Sequence, residues 1–209
     1  MVDTLLRGHR RFLSKRAGSQ RDFLTRLAST QQSPGALFIG CSDSRVIPEL
    51  LTHSTPGELF VVRNVANLVP TFQNADASVG AAIEYAVGHL KVPHVVVCGH
   101  YGCGGVKAAI DGLDQLSSMP SVVEWLAPVA ATVEALPVTD TETRWDQAVE
   151  ANVLAQFANL STFTAVARAL EAGTLELHAW VYDLWSLGLR VYDDERAAFV
   201  RSHELLDAG

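Results

Sequence analysis

The spacing of apolar positions changes several times along the chain, and each change marks an element. From Asp3 to about Lys15, Leu and Phe alternate with basic residues at helical spacing, which predicts an amphipathic helix. A second helix is expected to open at Ser19-Gln20-Arg21-Asp22, a capping-box-like pattern with Asp in place of Glu or Gln, ahead of Phe23, Leu24 and Leu27. Gln31-Gln32-Ser33-Pro34-Gly35 ends it. Three short apolar runs then have the character of buried parallel strands: Ala36-Leu37-Phe38-Ile39, Leu59-Phe60-Val61-Val62 and His94-Val95-Val96-Val97-Cys98. Between the last two, Val79, Ile83, Ala86 and Leu90 recur at helical spacing and predict a helix over 76–91. Strand, helix, strand in that order implies a right-handed βαβ unit.

Further helices are expected after Gly102, over a Pro-punctuated stretch at 120–136, and from Thr143 to Glu171, the last ending at Gly173 as a C′ residue. Leu175 to Val181 and Leu187 to Tyr192 alternate around a turn at 186–188. The fold class is therefore α/β. One domain spanning 1–209 is built around a mostly parallel sheet flanked by helices. Residues 1–30 form a helical arm, 31–209 the α/β core, and the C-terminal edge strands are hairpin-like.

Composition narrows the function. At 209 residues one domain is the expectation, and 48% hydrophobic with 19% charged residues excludes disorder. A net charge of −7 argues against a general partner role with nucleic acid or anionic membranes, which needs clustered Lys and Arg. The basic stretch from Arg7 to Arg16 reads as the solvated face of a helix. No run of about 18 apolar residues predicts a membrane span, and the N-terminus shows no secretory pattern. Three cysteines are too few, and odd in number, for a disulfide framework. A cytoplasmic location follows, where thiols are free, catalytic or metal-bound.

Two of the three strands run into metal-capable residues. The first ends in Cys41-Ser42-Asp43-Ser44-Arg45 and the third in Gly99-His100-Tyr101-Gly102-Cys103-Gly104-Gly105. Ligands bind at the carboxyl ends of the strands in an open parallel sheet, so two thiols, an imidazole and a carboxylate converge on one edge. Thiolate and imidazole are the donors zinc prefers. A lone His-x-x-Cys is a weak signal, and its pairing with Cys-x-Asp-x-Arg on a second strand makes it specific. Cys98 shares a strand face with His100, so spacing leaves it open as a ligand, although its Val-rich surroundings favour a small core hydrophobe.

Together with Phe60-Val61-Val62-Arg63-Asn64, Ala82-Ile83-Glu84-Tyr85-Ala86 and the late Leu177-His178-Ala179-Trp180-Val181-Tyr182, these motifs resemble the β-class carbonic anhydrases in order and spacing over nearly the whole chain. The resemblance implies one zinc per subunit on Cys41, His100 and Cys103, hydrating carbon dioxide to bicarbonate and a proton by a zinc-bound hydroxide. It also implies an Asp43–Arg45 catalytic pair beside the metal. Gln32, Phe60, Val65 and Tyr85 fall where the family lines its substrate pocket, partly from a neighbouring subunit, and a homodimer or dimer of dimers is expected.

The residue types suit these roles. Three protein ligands leave a fourth position open, the mark of a catalytic zinc. The Arg45 fork would hold the Asp43 carboxylate off the metal, leaving it to accept a proton. The Gln32 amide can donate to bicarbonate, while Phe60, Val65 and Tyr85 offer apolar surface to a small apolar gas. Gly104 lets the backbone N–H come close.

Plainer roles are assigned elsewhere. His9, His53, His89, His94, His178 and His203 read as surface or structural histidines, Arg63 as a structural or interface salt bridge or an active-site lining residue, and Trp180, Tyr182 and Trp185 as sheet packing. The sequence departs from the family pattern at three places. Ala179 replaces a usual Gly, Trp185-Ser186-Leu187-Gly188 replaces a Thr-Gly turn, and Phe38 stands where some bacterial members carry the Trp of a regulatory bicarbonate site. Two other activities compete on this scaffold: hydrolysis of carbonyl sulfide or carbon disulfide, and a non-catalytic zinc-stabilised interaction protein in which Asp43 closes the site.

Overall fold

The computed structural model describes residues 1–137 and 140–206. The apolar runs form the strands expected of them: β1 (Ala36–Cys41), β2 (Leu59–Asn64) and β3 (His94–His100) are mutually parallel, and β4 (Glu176–Tyr182) continues the parallel set beside β3. Antiparallel β5 (Leu189–Asp193) and β6 (Ala198–Arg201) finish a six-stranded sheet of order β2-β1-β3-β4-β5-β6. The chain leaves β1 in one direction for β2 and returns on its other side as β3, so strand order reverses at β1 and β3. That is where an open α/β sheet opens a crevice for a ligand.

The helices of the core collect on one face. α4 (Ala77–Ile83), α5 (Gly104–Asp111), α6 (Pro120–Glu134), α7 (Thr141–Leu160) and α8 (Thr164–Glu171) bury Val79, Ile83, Val106, Leu126, Val149, Val153 and Val166 against Leu37, Ile39, Val95, Val97 and Val181. Gly99 permits the closest approach: a Cβ there would lie 2.4 Å from Val153 Cγ2. The opposite face is thin. Phe38, Val96 and Cys98 are buried there beneath Leu51 of the short α3 (Pro48–Leu51), with Val61, Trp180 and Tyr182 half-buried around them.

Several sequence expectations are corrected. The arm is not two separately capped helices: α1 (Val2–Arg11) passes through a π turn (Phe12–Arg16) directly into α2 (Ala17–Ser29), because no residue there interrupts helical backbone. Leu5, Leu6, Phe12 and Leu13 stay exposed, and the arm meets the core at Leu27 over Gly57, whose φ of +96° favours glycine. The helix at 143–171 is broken into α7 and α8. Thr162 Oγ1 donates to the Asn159 carbonyl and accepts the Phe72 N–H, diverting a carbonyl from the helical ladder, and Phe163 drops into the core. The tail also holds β6 and the terminal α9 (Ser202–Leu206), both unforeseen. Gly173 ends α8 at φ +66°, as read. Among the described residues no helix is long and apolar enough to cross a membrane.

Candidate metal centre

Cys41, at the end of β1, and His100, at the end of β3, emerge side by side at the reversal point, and Cys103 follows at the N-terminus of α5. All three are buried, and their ligand atoms lie within 4.8 Å of one another. The two Sγ atoms are 3.9 Å apart. A tetrahedral ion with Zn–S bonds near 2.3 Å separates two sulfurs by about 3.8 Å, so the spacing suits zinc. His100 Nδ1 lies 3.0 Å from the Tyr101 carbonyl. Donation there fixes the tautomer and turns the Nε2 lone pair inward, where that buried atom has no hydrogen-bond partner. A metal ion could serve as the partner of such an atom.

The thiols suit the same kind of ion. A hydrogen bond from Cys103 draws Cys41 well below the usual thiol range, against the opposing cost of burial. Cys103 is pushed up by the Cys41 thiolate and by burial, while the Val106 and Gly105 N–H groups favour its anion. Cys98 stands apart: burial pushes its thiol up, and it lies within the Phe38–Val96 cluster. It is core.

Asp43 faces this group, with Oδ2 3.9 Å from His100 Nε2. Arg45 grips the carboxylate with both prongs, Nε to Oδ1 at 2.9 Å and Nη2 to Oδ2 at 2.7 Å, and its backbone N–H adds a third bond to Oδ1 at 3.0 Å. These bonds hold Asp43 far below the usual carboxylate range. Among the described residues of this chain Arg63 is paired with backbone rather than in the structural salt bridge expected of it. It donates to the carbonyls of Cys41 (2.9 Å) and Asp43 (2.5 Å), fastening the loop that carries both. Trp145 Nε1 donates to the Cys103 carbonyl in the same way.

The pocket residues are more loosely gathered. Phe60 and Tyr85 bring their rings to 6.0 Å, and Val65 and Tyr85 are 41% and 44% exposed. Val65 is positioned by Trp125 Nε1, which donates to its carbonyl. The backbone behind it, with Ala66 and Asn67 at φ +62° and +50°, is held by α7 amides: Asn152 donates to the Ala66 carbonyl and Gln156 accepts the Val69 N–H. These amides carried no sequence signal beyond Asn152 and Gln156 standing four residues apart, on one face of the helix. Gln32 lies exposed in the irregular segment between α2 and β1. A Cβ at Gly104 would meet open space, whereas at Gly105 it would press on Ala66 and Val65 at 3.1 Å, so the crowded glycine is the second of the pair. Trp185, read as sheet packing, is exposed in the β4–β5 turn and lies over Gly102.

Residues 36–188 match the family model described as carbonic anhydrase. A carbonic anhydrase of Pseudomonas aeruginosa is 48% identical over 185 residues, covering 86% of this chain and 83% of that protein. One from Synechocystis is 36% identical, covering 99% and 77%. Among solved structures, the β-carbonic anhydrase CcaA superposes with a TM-score of 0.90 at 36% identity over 96% of this chain and 98% of that one. A structure described as a tetrameric β-carbonic anhydrase from Sordaria macrospora gives 0.79 at 30% identity, covering 91% and 95%.

Proposed function

The chain belongs to the β-carbonic anhydrase family, and from that premise we propose that it interconverts carbon dioxide and bicarbonate with one zinc ion held by Cys41, His100 and Cys103. The observation that carries the reading is the inward, partnerless His100 Nε2 between two thiols, with a carboxylate beside it already claimed by an arginine. Zinc there would lower the pKa of a water in its fourth position enough to supply hydroxide near neutrality.

The chain's own residues do the rest. Arg45 occupies both Asp43 oxygens, which opposes closure of the site by that carboxylate and counts against the non-catalytic reading. So held, Asp43 stays anionic and accepts a hydrogen bond from the attacking oxygen, turning that oxygen's lone pair toward carbon dioxide, while the proton of the hydroxide remains on the bicarbonate formed. Phe60, Val65 and Tyr85 offer carbon dioxide an apolar wall, and the Gln32 amide donates to the oxygen that becomes negative. Two thiolates cancel the metal's charge, so activity should climb from neutral into mildly alkaline pH, above the value of about 7 typical of histidine-rich zinc sites. Asp43 stays anionic across that range, so the rise is not its titration.

The exposed Leu5, Leu6, Phe12 and Leu13 of the arm, with the thin face of the sheet, support assembly as a homodimer or dimer of dimers, a reading to which the tetrameric relative adds weight. Three free thiols fit a reducing cytoplasm. Zinc X-ray absorption on the loaded protein tests the ligand set. Two sulfurs, one imidazole nitrogen and one further light atom are expected, and a third sulfur would overturn it.

A further inference from the structure

A second group of metal-capable side chains lies at the other end of β3. His94 opens β3, Glu176 opens β4 directly across from it, and His178 follows two residues along β4, on the same face as Glu176. His178 Nε2 is 3.2 Å from His94 Nδ1, and Glu176 Oε2 is 3.7 Å from His94 Nδ1 and 3.9 Å from His178 Nε2. A tetrahedral ion bound at 2.0–2.2 Å spaces its nitrogen and oxygen donors by about 3.3–3.6 Å. The three atoms are within a few tenths of an ångström of that spacing.

We propose that His94, Glu176 and His178 form a second divalent-metal site, for an ion of the zinc class, separate from the Cys–His–Cys centre. Two imidazoles and one carboxylate are a donor set that zinc, nickel and copper accept, and without thiolate it differs in kind from the first site. Six residues of extended strand separate His94 from His100, about 20 Å, so an ion here takes no part in the reaction. It ties β3 to β4, the strands that end in His100 and Tyr182. The His178 ring lies between His94 and Trp180, whereas the Glu176 side chain is 72% exposed. The ion should therefore exchange with solution while the buried centre keeps its own.

The test is equilibrium dialysis of the zinc-loaded, tag-free protein against rising zinc, with metal analysis, followed by the same titration with cobalt. A second equivalent should bind reversibly and raise the melting temperature without changing carbon dioxide hydration. Cobalt in it should show tetrahedral ligand-field bands with no added thiolate-to-metal charge transfer. His94→Ala with His178→Ala should remove the second equivalent and leave the first. Glu176→Gln, an exposed and isosteric change that spares the fold, should weaken it at least tenfold. Binding that stops at one equivalent in the wild type would overturn the proposal, as would a second equivalent undiminished in the double variant.

Discussion

At the carboxyl end of β3, His100 is fully buried and its ring is fixed by the Tyr101 carbonyl, while Arg63 and Trp145 hold the backbone of its two thiol neighbours. At the amino end, His94 is 44% exposed, and its neighbours are another imidazole and a carboxylate that is largely in water. One strand thus carries two metal-capable groups, one prearranged by contacts outside the donor set and one assembled by register alone. The difference teaches what rigid support adds. Donor spacing can arise wherever strands pair, but an inert, oriented site needs every ligand braced by something that is not a ligand.

The largest effect that would break this contrast comes from the ligands themselves. Cys103→Ser, like Cys41→Ser or His100→Ala, should strip the buried zinc and reduce carbon dioxide hydration to background. Cys98→Ser should keep both metal and turnover, by metal analysis and stopped-flow assay. Next come the braces. Asp43→Asn should keep zinc but lose about 10²-fold or more in turnover, the scale of losing one oriented hydrogen-bond partner of the reacting oxygen. Arg45→Ala should lose about 10–100-fold with zinc retained, the scale of an outer-shell change. Wild-type turnover in Arg45→Ala across the mildly alkaline range would show that Asp43 is held by another group.

A third change sharpens the contrast by asking how much of the buried site one subunit completes. Removing residues 1–30 should shift the assembly to monomer and lower activity together, read by light scattering beside the assay, and a fully active monomer would contradict it. The smallest effect concerns the scaffold between the two ends. Gly99→Ala would drive a methyl into Val153 and should cost about 1–3 kcal/mol of stability in denaturant unfolding, with metal content preserved.

Much of the carboxyl end was legible in the sequence because its ligands lie in two short local motifs, each placed by an apolar run that could only be a buried strand. The Asp43–Arg45 clasp was legible for the same reason: the partners are two residues apart. The amino-end group was not, since His94 and His178 are brought together by parallel pairing across 84 residues, and neither residue is unusual in its own segment. The hold of Arg63 on the site loop was not legible because its partners are backbone carbonyls, which leave no mark on side-chain pattern. The arm was split in two because Ser19 starts a helix only where the preceding backbone is not already helical, and here it is. The break at 161–163 arises from Thr162 reaching Phe72, a contact made 90 residues away.

The central claim is that the Cys41–His100–Cys103 cluster holds the one ion that catalysis needs. It is tested most directly by restoring zinc stepwise to chelator-stripped protein while following carbon dioxide hydration. Turnover should rise in proportion to zinc up to one ion per subunit and stay flat thereafter, even as further zinc binds. Full turnover in protein carrying almost no zinc, or turnover that keeps rising with a second equivalent, would contradict it.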